Sequence, residues 1–225
     1  MDTTITDLAL LRLMHLSSAA LPIGGYSFSQ GLEFSIDNGT LKTPEQIAHW
    51  LSEQLQQSLV YVDLPLLKRV YHALLTDDLT KARDYNDWLL ACRESFELHQ
   101  ADTAMGAALA KLLPNFGINV PDFANDQLSY VSLYALAAVN WHIPYQQTAC
   151  GFLSAWLENQ VAAATKLVPL GQTQAQKLIH QLQPALITAI SQADALDEDQ
   201  IGMGLPMFGI LSAHHETQYS RLFRS

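Results

Sequence analysis

His214 and His215 stand side by side with Glu216 directly after them, residue types that ligate a metal ion when the backbone aims them at one point. Neighbouring residues diverge by about 100° around a helix, so this pair cannot easily chelate one ion, and the histidines read by default as structural. Glu94, Glu97 and Asp102 recur at helical spacings with Arg93 beside them. That pattern describes a solvated or ion-paired helix face, with a metal site as the sharper alternative. The run Asp194 to Asp199 is a local acidic cluster, read as a solvated loop. Nucleophilic catalysis finds no support, because no serine sits in a G-x-S-x-G elbow and neither Cys92 nor Cys150 has a basic neighbourhood that would activate it. Gly24-Gly25 and Gly202/Gly204 open no phosphate loop, and G-x-x-x-x-G-K-[ST] is absent from the chain.

Two segments suit contact better than chemistry. The loop Leu21-Pro22-Ile23-Gly24-Gly25-Tyr26-Ser27-Phe28-Ser29-Gln30-Gly31 sets two aromatics beside paired glycines. It either offers Tyr26 and Phe28 as rigid contact groups or folds back on its own core. The C-terminus carries two of the twelve basic residues in its last five positions, interleaved with Leu222 and Phe223. Such a tail suits docking on a partner, with Phe223 as anchor and Arg221 and Arg224 as carboxylate forks. The alternative is a frayed helix end whose arginines favour the negative end of the dipole.

Helices must position these groups. Nearly every segment has helical periodicity and none keeps a period of two, so the expected fold is all-α, a single-domain helical bundle of roughly 8–10 helices with short loops. Thr43-Pro44-Glu45-Gln46 reads as a capping box with proline at the first helical position, starting a helix that runs to about Tyr61. Thr173 to Gln176 reads as a second box. Between them helices are expected near 63–76, 79–92, 94–113, 124–141 and 145–167, and Pro184 predicts a kink in 173–193. Residues 112–165 contain no Lys or Arg, and 127–157 contain no charged residue of either sign. A membrane hairpin is excluded because Pro144 splits the segment into pieces shorter than the roughly 20 residues a span needs. What remains is a chargeless central helical hairpin wrapped by other helices, or one whose second face is covered by another chain. Tyr145, Ala149, Phe152 and Trp156 form one stripe of it, read as core packing.

Composition sets the outer bounds. A chain of 225 residues with 49% hydrophobic and only 15% charged residues has ample surface to bury, which excludes intrinsic disorder. The net charge of −10 would repel a phosphate backbone or an anionic lipid surface, so no nucleic acid and no membrane is expected as a partner. Two distant cysteines and an acidic, interrupted N-terminal stretch fit a cytoplasmic protein.

Three ordered motifs resemble the urease accessory protein UreF family. They are Leu21-Pro22-Ile23-Gly24 with Tyr26-Ser27 and Ser29-Gln30-Gly31-Leu32-Glu33, then Val168-Pro169-Leu170-Gly171-Gln172-Thr173, and finally His215-Glu216 with Ser220 to Ser225. The resemblance implies an all-α, non-enzymatic homodimeric chaperone over residues 1–225, with 213–225 a partner-docking tail. It would bridge the accessory protein UreD (UreH in some organisms) and the GTPase UreG and couple GTP hydrolysis to nickel delivery into apo-urease. Nickel and GTP would be handled by the assembled complex, with no cofactor or metal bound by this chain. The implied partner-binding residues are Tyr26, Gln30, Glu33, Lys166, Pro169, Gly171, Gln172, Glu216, Arg221, Leu222, Phe223 and Arg224. Lys166, the first cation after 54 residues without one, resembles the family's basic position proposed to face the GTPase, either as a positioning group or as an activating finger. The alternative is a helix-end lysine serving the last carbonyls. A small helical metalloenzyme is the reading from a different class. The sequence departs from the family at Phe34, where a tryptophan-like position stands, and at Ala175, where many members have glycine.

Overall fold

The computed structural model describes residues 4–121 and 127–224. Ten α-helices follow one another among the described residues, and no strand occurs there. They are α1 (Asp7–Leu16), α2 (Leu32–Asp37), α3 (Pro44–Gln54), α4 (Asp63–Leu75), α5 (Leu79–Ala91), α6 (Phe96–Leu112), α7 (Tyr130–Asn140), α8 (Tyr145–Leu167), α9 (Gln172–Asp194) and α10 (Pro206–His215).

The helix starts are where short polar side chains can take up orphan amides. Thr43 and Gln46 close the expected box, with Gln46 Nα donating to the Thr43 hydroxyl and the Thr43 amide donating to Gln46 Oε1. This helix passes through one π-helical turn, Leu55–Leu59, before it ends. α6 begins at Phe96 rather than 94 because Ser95 caps it. The helix expected from 124 begins at Tyr130; residues 124–126 lie outside the described residues. Backbone groups of 127–130 are claimed by distant side chains instead: Asn86 bonds the Gln127 carbonyl and the Ser129 amide, and Asp102 accepts the Tyr130 amide. Gly106 makes this close approach feasible, since a Cβ there would collide with the Leu128 carbonyl. The second expected box shifts by two residues, because Gly171 is the cap of α9 and Gln174 reaches back to its amide at 3.3 Å. α9 runs through Pro184 as one element.

The chargeless hairpin is central. Every residue of α7 from Tyr130 to Ala138 is buried, and this helix packs against α4, α6 and α8. From Tyr145 to Leu157 only Gln146 of α8 is exposed. Ala149 and Phe152 are buried and Tyr145 and Trp156 half-buried, so the stripe is core packing. One continuous cluster of buried apolar side chains reaches from Ala9 to Phe223. The acidic cluster near 194 is exposed from Glu198 to Gln200, but Asp194 is tied to Lys68 and Gln146 at 2.8 Å each. Among the described residues no helix is long and apolar enough to cross a membrane.

Candidate partner-docking site

Glu33 lies in the first turn of α2 and Glu97 in the first turn of α6, where a negative charge meets the positive end of the helix dipole. His215 lies in the last turn of α10, where a cation is favoured. Gly31, in the left-handed region at φ 79°, precedes α2 and lets α10 close in, since a Cβ there would sit 3.3 Å from the Ser212 amide nitrogen. A hydroxyl pair, Ser95 with Ser212 at 2.8 Å, fixes the same junction.

The three helix ends converge on one buried ionic cluster. His215 Nε2 is 2.9 Å from Glu33 Oε2, and Nδ1 is 2.9 Å from both carboxylate oxygens of Glu97. The imidazole is 0% exposed. A neutral imidazole carries one N–H, so two carboxylate neighbours call for the imidazolium. Burial alone pushes the His215 pKa down, but the hydrogen bonds and charges of Glu97 and Glu33 outweigh it, and the net direction is up. Arg221 completes the charge balance by donating from Nη1 to Glu97 Oε1 at 3.0 Å.

This cluster holds the tail. The Leu222 amide donates to Glu33 Oε1 at 2.6 Å and the Phe223 amide to Glu33 Oε2 at 2.9 Å. The Arg224 amide donates to the Ser27 carbonyl in the loop before α2. Phe223 is 4% exposed, and the Lys166 ammonium, in the last turn of α8, sits 5.3 Å from its ring centroid and 5.9 Å from that of Tyr26. Tyr26, Lys166, Leu222 and Arg224 stay exposed. The result is a cation seated over two rings, at the surface, with a rigid buried mount beneath it.

A second ionic cluster lies deeper. Arg93 forks Asp63 with bonds of 2.8 and 3.3 Å and reaches Asp102 Oδ2 at 2.9 Å. Asp102 in turn accepts from the Ser129 hydroxyl. Burial lowers the Arg93 pKa but the charges of Asp102 and Asp63 raise it further. A cavity of about 90 Å³ adjoins this cluster and is bordered by Gln30, Glu94 and Trp156. Burial pushes the Glu94 carboxyl pKa up.

Every titratable group of the two clusters is committed to another part of the chain, and both free cysteines have thiols pushed up by burial, away from the reactive thiolate. Among the described residues no three His, Cys, Asp or Glu are grouped to hold a metal ion. His214 is turned away from His215 and stacks on Phe34 at 5.3 Å.

Comparison with known proteins agrees with the resemblance. Residues 41–183 match the UreF family. The urease accessory protein UreF of Marinomonas sp. (strain MWYL1) is 49% identical over 220 residues, covering 98% of this chain and 96% of that protein. Those of Hahella chejuensis (strain KCTC 2396) and Pseudomonas putida (strain W619) are each 44% identical, covering 97% and 98% of this chain and 99% of each relative. The chain belongs to the UreF family. Its relatives carry the name of accessory proteins, not of catalysts.

In this UreF chain, segments far apart in sequence meet. Tyr26, Lys166 and Phe223 form the platform, while Glu33, Arg221 and the Leu222 and Phe223 amides form its mount. Glu216 accepts the Glu97 amide at 3.2 Å. Gln30 is a bracket inside the molecule, accepting from Trp156 and Gln160 and receiving Gln54 on its carbonyl. Pro169, Gly171 and Gln172 are exposed at the turn after Lys166, with buried Leu170 anchoring them. The anchor site of Phe223 and the carboxylate partner of Arg221 are both within this chain, whereas Tyr26, Lys166, Leu222 and Arg224 are exposed beside the turn. The loop divides likewise, with Tyr26 outward and Phe28 folded into the core. Ser225 and Met1 to Thr3 lie outside the described residues.

Glu97, His215 and Asp102 carry more than the sequence pattern suggested. The face of Glu94, Glu97 and Asp102 is split: Asp102 pairs with Arg93, whereas Glu97 pairs with a histidine 118 residues away. The one local hint at Glu97 is its place two residues after the cap Ser95. For His215 the sequence offers its place in the third motif, and nothing beside it points to two distant carboxylates. Of the two departures from the family pattern, Phe34 is the stacking partner of His214 and Ala175 is buried at 3%.

Proposed function

We propose that this chain is a urease maturation scaffold that bridges UreD (UreH) and the GTPase UreG and couples GTP hydrolysis to nickel delivery into apo-urease. Nickel and GTP are then cargo and substrate of the assembled complex, and the working form is a cytoplasmic homodimer. The observation that carries the reading is the exposed Lys166 ammonium over the Tyr26 and Phe223 rings, at the meeting point of three segments that resemble the family's motifs. Aromatic and cationic groups on a rigid mount are the usual makers of binding energy at an interface. The exposed apolar side chains of α1, namely Leu8, Leu10, Leu11 and Met14, supply further surface for a second copy or a partner.

The test is co-purification with UreD and UreG of the full chain and of Tyr26→Ala, Lys166→Ala and Leu222→Asp. Cutting the tail before His215 would strip Glu33 and Glu97 of their cation, so surface substitutions are the cleaner probe. Each should lower capture without changing the fold; capture equal to the parent chain by all three rejects this face. GTP turnover of the reconstituted complex with Lys166→Ala separates the two roles of that lysine. Lysine lacks the planar fork of arginine, and here its ammonium is seated over two rings, which favours positioning over a finger. Unchanged turnover with lost assembly rejects the finger.

A further inference from the structure

The polar attachments of the tail are few, and three of them end on Glu33 and Glu97, the two carboxylates that flank one imidazole. Glu33 faces His215 from α2, Glu97 from α6 and Arg221 from the tail; Glu216, next in the chain, turns its carboxylate to the Glu97 amide. His214 points away onto Phe34, and α8 adds only Lys166, above Phe223. With the ring protonated, two carboxylates face two cations. Without that proton, one ring nitrogen presents a lone pair to a carboxylate oxygen at 2.9 Å, and two buried carboxylates share the single charge of Arg221. The Glu33 oxygen that meets the ring, Oε2, also takes the Phe223 amide, and the other oxygen of the same carboxylate takes the Leu222 amide.

We propose that His215 is a proton-operated latch for residues 216–224: the imidazolium draws Glu33 and Glu97 together and holds the tail down, and loss of its ring proton to solvent frees the tail and takes Phe223 out of the Tyr26–Lys166 platform. His215 is thus a positioning residue for the docking face. The effect on partner capture rests on the function proposed above, whereas the latch belongs to the chain alone. The sign follows from linkage: the latched state holds its proton more tightly than a free tail would. Latching is therefore complete below the ordinary histidine value of about 6.5 and is lost as pH rises through the raised value of the latched ring.

The experiment uses the full chain labelled with ¹⁵N. Ring-nitrogen shifts of His215, and hydrogen exchange of the Leu222 and Phe223 amides with intrinsic base catalysis divided out, are followed from about pH 5.5 to about 9.5. Both ring nitrogens should be protonated at neutral pH. Protection of the two amides should fall about tenfold per pH unit above about 6.5 until His215 has titrated, while amides of α7 stay flat. In His215→Gln the same amides should be poorly protected at every pH. Should that variant fail to fold, the titration of the unaltered chain still decides. A neutral ring at pH 7, or tail protection that ignores pH, overturns the latch. Co-purification with UreD and UreG at two pH values keeps the readings apart: absent capture at both, with the tail titrating as stated, leaves the latch standing and sinks the docking face.

Discussion

Arg93 and His215 each sit between two carboxylates, yet they join different kinds of structure. Arg93 ties α4 to α6 and, through Asp102 and Ser129, to the start of the central α7. His215 joins α2, α6 and α10 through Glu33 and Glu97, the carboxylates that also hold the tail. Guanidinium keeps its charge at any pH a protein meets, whereas imidazolium does not. A permanent joint lies under the core hairpin and a titratable one under the surface that carries Tyr26, Lys166 and Leu222. Ionic character alone therefore says little about a buried cluster; the cation at its centre sets whether the joint can open.

That contrast can be attacked by substitution. The largest effect is expected from Arg93→Met, which strands Asp63 and Asp102 in a dry site and should cost about 3–5 kcal/mol. In a chain of this length that is a fall in Tm of roughly 10 °C at neutral and alkaline pH, smaller at acid pH where the stranded carboxylates take up protons, and calorimetry at both ends of the range checks it. His215→Gln should cost about 2–3 kcal/mol, because glutamine offers a neutral donor to two carboxylates. It should also erase the alkaline loss of stability expected of the parent chain above about pH 6.5; a variant that keeps this pH profile would place the titration elsewhere. Phe223→Ala removes a buried ring from the tail and should weaken its docking by about 2 kcal/mol. Hydrogen exchange at Leu222 should then quicken roughly 30-fold with the core unchanged. Smallest in stability is Lys166→Ala, within about 0.5 kcal/mol of the parent chain, although it should cut partner capture the most of the exposed platform residues. A large fall in Tm for that variant would mean the lysine serves the fold.

Much of the fold was readable from the residues. Thr43 with Gln46 announced α3, the i, i+4, i+7 and i+11 apolar stripe announced α8, and the run without charges marked the hairpin that lies at the centre. Boundaries slipped where distant side chains intervened: α7 starts late because Asn86 and Asp102 hold the backbone before it. The aromatic loop, Lys166 and the basic tail each stood out in the sequence, and their joining did not. Nothing in the spacing of Tyr26, Lys166 and Phe223 says that they share one surface.

Helices, caps and buried faces are contests between residues three or four apart, so composition and periodicity were enough to settle an all-α chain and to mark its chargeless hairpin. The ionic mount is of another kind. Glu33 and Glu97 look in the sequence like any solvated helix-start acids, and His215 like half of an unremarkable pair. They become a latch because packing of α10 against α2 and α6 carries residues 118 and 182 positions apart to 2.9 Å, out of reach of water. A charge's worth depends on what surrounds it, and those surroundings came into being with the packing of the helices.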